Sequence, residues 1–82
     1  MPPFSRALDT LMVEVRSGSL DGVRRCTESL EPHRVRPVLE SAVVIGFNEG
    51  ASLDVLSWMA ERIGTLRVSR TPYGATRLVR RA

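Results

Sequence analysis

Arg16-Ser17-Gly18-Ser19-Leu20-Asp21-Gly22-Val23 has a counterpart 33 residues later, Glu49-Gly50-Ala51-Ser52-Leu53-Asp54-Val55-Leu56, and the two share Ser-Leu-Asp in register. Self-similarity at a fixed period is the mark of stacked repeats. Under that shift Leu20 maps to Leu53, Val23 to Leu56, Cys26 to Met59 and Leu30 to Ile63. The break before each helix maps as well, Gly18 to Ala51. Each helix pair then has an apolar face that it cannot cover alone, and a stacked neighbour closes the core.

Working outward, Leu8, Leu11, Met12 and Val15 recur at helical spacing, which predicts a helix over 5–16. Ser17-Gly18 ends it. Ser19 caps a second helix, and Asp21 lies in the first turn, where the helix dipole favours an acid. Glu31-Pro32 closes that helix, because proline disfavours a helical residue before it. His33 to Arg36 reads as a loop, and Pro37 suits the first turn of a third helix that runs to about Asn48. That helix is apolar nearly all round and is expected to be buried on most sides. Ser52 caps a fourth helix, and Gly64 stops it. Beyond it, Thr71-Pro72-Tyr73-Gly74 has the proline and glycine of a type I turn. Residues 75–82 are too short for periodicity to choose between a strand and the start of a helix.

With 82 residues the chain is one domain, divided as 5–32, 37–64 and a basic extension over 65–82. No apolar run reaches membrane-spanning length, and the N-terminus lacks the pattern of a secretory signal. The single cysteine, Cys26, allows no internal disulfide and points to a reducing, intracellular compartment. The cytoplasm comes first, with mitochondrion and nucleus left open. All twelve basic residues are arginine. Residues 1–61 carry six arginines against nine acids, a charge of −3, whereas residues 62–82 carry six arginines and no acid, a charge of +6. Such asymmetry points to nucleic acid, an anionic surface or an acidic protein as partner.

The repeat period and its segments resemble the ankyrin-repeat family. Arg16 to Val23 looks like that family's inter-helix turn and second-helix start, and Gly50 to Met59 looks like the next one. Tyr73-Gly74-Ala75-Thr76-Arg77-Leu78 is similar to the opening of a third repeat, with Arg77 in place of a proline. Neither complete repeat opens on Thr-Pro-Leu-His, and the small residues of the second inner helix fall near Gly46 and Phe47. The resemblance implies an all-α fold of about four helices in stacked hairpins, ending in a short basic turn or hairpin. It also implies non-catalytic protein–protein recognition, as an adaptor or subunit of a larger assembly. Phe47, Trp58 and Tyr73 are the aromatic candidates for partner contact, since aromatics dominate binding hot spots. Without polar caps the Trp58–Tyr73 end is expected to self-associate or to be buried in an assembly.

A second constellation points to nucleic acid. Ala60 to Gly64 followed by Val68-Ser69-Arg70-Thr71-Pro72 looks like the bacterial helix-turn-helix, though Thr65-Leu66-Arg67 lengthens the turn and Gly74 falls inside the recognition helix. A variant makes 65–70 and 75–80 a basic hairpin wing. On either form Arg67, Arg70, Arg77, Arg80 and Arg81 are the contacts to phosphates or guanines. Catalysis finds little support: Cys26 lies on an apolar helix face, His33 has no metal-ligand spacing to any neighbour, and no glycine-rich phosphate loop occurs. No enzyme activity, cofactor or metal is expected.

Overall fold

The computed structural model describes residues 3–81; Met1, Pro2 and Ala82, the outermost positions of the sequence reading, lie outside the described residues. The element order is α1 (Phe4–Ser17), α2 (Leu20–Glu28), α3 (Pro32–Asn48), α4 (Leu53–Ile63), β1 (Leu66–Arg70) and β2 (Thr76–Arg80). The two strands form an antiparallel hairpin. The expected all-α class is therefore wrong. The C-terminal fifth of the chain is a sheet, because residues 66–70 and 76–80 pair across a tight turn while Leu66, Val68 and Leu78 pack against the helical core.

α1 packs on α2 and α3 packs on α4, giving two helical hairpins. α1 also packs on α3 and α2 on α4, so each helix of one hairpin lies against its counterpart in the other. The core sits between them. Leu11, Met12 and Val15 of α1, Val23 of α2, Val38, Leu39, Ala42 and Val43 of α3, and Val55, Leu56, Met59 and Ile63 of α4 are all buried. Gly46 of α3 marks a close approach of the core elements. A Cβ built there would meet Val15 Cγ1 at 3.0 Å, Leu56 Cδ2 at 3.3 Å and the Ala51 Cβ at 3.4 Å.

The helix ends follow from local chemistry. Gly18 and Gly64 take left-handed conformations, φ 73° and 84°, at the ends of α1 and α4. The Ser19 hydroxyl oxygen accepts a hydrogen bond from the Gly22 amide at 3.0 Å. Replacing Ser19 with alanine orphans that amide and is expected to cost about 1 kcal/mol, read as a lower urea midpoint at unchanged slope.

α3 begins five residues before the expected start. Pro32, not Pro37, occupies its first turn, and Pro37 lies inside the helix. Residues 33–36 are therefore helical where a loop was expected. Two facts make this tolerable. Pro37 and His33 are both exposed, so the His33 carbonyl that loses its partner is available to water. Val35, between them in the chain, packs against the core and holds the segment down.

Arg16 and Glu49, equivalent positions under the 33-residue shift, tie the ends of α1 and α3 together. The Arg16 Nε donates to Glu49 Oε1 at 2.9 Å and its Nη2 donates to Oε2 at 3.1 Å. The paired hydrogen bond holds the Glu49 carboxyl below its ordinary range and raises the Arg16 guanidinium above its own. The pair is exposed, so its grip is on register more than on stability.

Candidate nucleic-acid interface

The hairpin concentrates the charge. Its register pairs Leu66 with Arg80, Arg67 with Val79, Val68 with Leu78, Ser69 with Arg77 and Arg70 with Thr76. Residues opposite one another in an antiparallel pair share a face. One face therefore carries Leu66, Val68 and Leu78, which pack against the helical core. β1 lies against α4, so this is the inner face. The other face carries Arg67, Ser69, Arg77 and Val79. Arg81 continues it, since its amide donates to the Thr65 carbonyl at 2.9 Å and extends the ladder by one step.

The tip is a built turn. Gly74 N donates to Thr71 O at 2.9 Å, Thr71 N donates to Ala75 O at 2.8 Å, and Ala75 N donates to Thr71 Oγ1 at 3.1 Å. Gly74 has φ 85°, which closes the three-residue loop in the left-handed region. Arg70, at an end of the inner face, folds over this turn, and its Nη2 donates to Gly74 O at 3.2 Å. Tyr73 stands at the apex, 97% exposed.

The five candidate arginines, Arg67, Arg70, Arg77, Arg80 and Arg81, are thus gathered on one hairpin, and all are exposed. Among the described residues no carboxylate lies within ion-pair distance of any of them, whereas Arg16 pairs with Glu49 and His33 with Glu31. Register divides the five. Arg67, Arg77 and Arg81 share the outer face, and Arg70 and Arg80 lie at the two ends of the inner one. The aromatic candidates separate too. Phe47 and Trp58 are half-buried against the core, and Tyr73 alone is free of it. Sequence reading placed Thr71 in the turn without its side-chain bond to Ala75, and it did not single out Ser69 and Val79 as the residues that lie between the arginines. Their signal is the register, which becomes readable only once the turn is fixed.

Beside the base of the hairpin lies a cavity of about 510 Å³ lined by Glu40, Val44, Thr65, Leu66, Leu78, Arg80 and Arg81. The Thr65 hydroxyl oxygen there is buried and has no hydrogen-bond partner among the described residues. Glu40 in the same wall opposes an anion, and the apolar half of the lining is open to another surface. Burial pushes the Cys26 thiol up, with Glu14 adding to it against Arg25, so the thiolate is disfavoured. Among the described residues no group of three or more His, Cys, Asp or Glu side chains is placed to hold a metal ion. No helix among them is long and apolar enough to cross a membrane. Compared with family models, curated proteins and solved structures, the chain matches none.

Proposed function

We propose that the chain is a small nucleic-acid-binding module and that its C-terminal hairpin is the binding element. One observation carries the reading: five exposed arginines, with no carboxylate partner among the described residues, are held on a hairpin whose inner face is anchored to the core. Guanidinium groups suit phosphate through paired, planar hydrogen bonds, and five of them supply the sequence-independent part of nucleic-acid affinity. The helical body, residues 1–61, carries six arginines against nine acids, so the hairpin is the most basic segment and is taken as the footprint. The experiment is fluorescence anisotropy with a labelled oligonucleotide across a salt series. If five phosphates are neutralised, the logarithmic salt slope is about −3.5 on a single strand. Raising salt from about 50 to about 200 mM then weakens binding roughly a hundredfold. A salt-independent affinity, or no binding at low salt, discards the reading.

A second reading, protein recognition by a stacked-hairpin scaffold of the ankyrin kind, draws on a different observation. Each helix of the first hairpin packs on its counterpart in the second, and Val44, 45% exposed beside Leu66 and Leu78, leaves an apolar end. Self-association through that end would appear as a concentration-dependent mass in the absence of nucleic acid.

A further inference from the structure

The hairpin lies flat against the helices, and this restricts how a nucleic acid can approach it. Its inner face is occupied by the core contacts of Leu66, Val68 and Leu78. It cannot enter a groove with both flanks free, as a projecting wing does. The neighbouring helix does not compensate with a basic surface for a major groove: α4, which carries the hairpin, bears Asp54 and Glu61 against Arg62. What remains accessible is the outer face and the tip.

On the outer face the arginines form a line. Arg81 stands at the base, Arg67 one rung on across the sheet, and Arg77 one rung further, opposite Ser69. A rung on one face is two residues, about 6.8 Å of rise, a step comparable with that between successive phosphates of an extended strand. The line runs toward the turn, where the Tyr73 ring is almost wholly in solvent. A tyrosine held out by a tight, hydrogen-bonded turn beside a cationic track combines the two parts of a single-strand binding site. The charges follow the backbone, and the ring stacks on a base.

Resting on the reading that the hairpin binds nucleic acid, we propose that its ligand is single-stranded. The strand lies along the outer face with successive phosphates on Arg81, Arg67 and Arg77, and one base stacks on Tyr73 at the tip.

The test uses the full chain with a 12-nucleotide mixed-sequence DNA strand, the matching 12-base-pair duplex, and polyglutamate as a peptide control. The single strand is expected to bind about tenfold or more tighter than the duplex. Tyr73→Ala is expected to weaken single-strand binding by about tenfold with the salt slope unchanged, and Tyr73→Phe to retain it. Tyr73 touches little else, so both variants keep the fold, checked by circular dichroism. Equal affinity for duplex, or indifference to Tyr73→Ala, overturns this mode while leaving a nucleic-acid-binding hairpin in place. Failure of both DNA forms to bind at low salt, or polyglutamate binding as tightly as the strand, overturns both.

Discussion

Replacing Gly46 with valine will cost the fold about 3 kcal/mol or more, because the position has no room for a branched side chain. Gly46 lies where α3 meets α1 and α4, and its missing Cβ is what lets them close. The first added carbon would already lie 3.0 Å from Val15 and 3.3 Å from Leu56. Two further methyls have to enter a region in which Val15 and Leu56 are both almost fully buried. Those side chains cannot rotate into solvent, so the helices must move apart and loosen the core on two sides. A domain of this length holds about 4–12 kcal/mol in total, so the loss takes a large share of its stability. Gly46→Ala provides the contrast. It needs Val15 to give by only a few tenths of an ångström, and it gains up to about 1 kcal/mol of helix propensity. Urea unfolding of both variants checks the argument. Alanine is expected near the parent midpoint and valine far below it. A valine variant that unfolds with the parent would mean the helices do not meet as tightly as this packing requires.

How much of this was legible in the sequence depends on how local the deciding interaction is. Ser19 and Gly18 declared the break between α1 and α2, because a cap and a left-handed glycine act within four residues. Gly64 did the same for the end of α4. The start of α3 was not legible. Pro32 and Pro37 both suit a first helical turn, and the choice was made by Val35, whose packing against the core is a tertiary fact. The sheet was legible only as a possibility. Each strand has five residues, too few for alternation to outvote a helix, and the turn could have belonged to a loop. The all-α expectation failed for that reason.

The candidate site was legible as a charge and not as a shape. Six arginines without an acid are plain from residue 62 onward. Their division between two faces is not, because shifting the register by one residue would exchange the faces. Arg67, Arg77 and Arg81 form the outer line only because Thr71 pairs with Ala75 across the turn. Phe47 and Trp58 were reasonable anchors by residue type, but aromatic rings at helical spacing serve cores as readily as interfaces. Both rings are half-buried against the core.

Changing Arg67, Arg77 and Arg81 together to serine is expected to remove nucleic-acid binding while leaving the fold's stability nearly unchanged, and the two halves of that outcome have separate causes. The three guanidinium groups are exposed and make no ion pair among the described residues. Substitutions at such positions usually fall within about 0.5 kcal/mol each. Their removal also relieves mutual repulsion on a segment of charge +6. The strands keep their anchors, because Leu66, Val68 and Leu78 face the other way. Binding has no such reserve. Loss of three of five phosphate contacts reduces the logarithmic salt slope by about 2 on a single strand, and at about 150 mM salt the affinity falls by about fiftyfold. Arg70→Ser with Arg80→Ser is the control of matched chemistry. It removes two charges from the ends of the inner face, so it is expected to weaken binding several-fold without abolishing it. Arg70→Ser should also loosen the turn, by deleting the hydrogen bond to Gly74. If the double variant loses as much affinity as the triple one, the outer face is not the binding surface, and total charge alone accounts for binding.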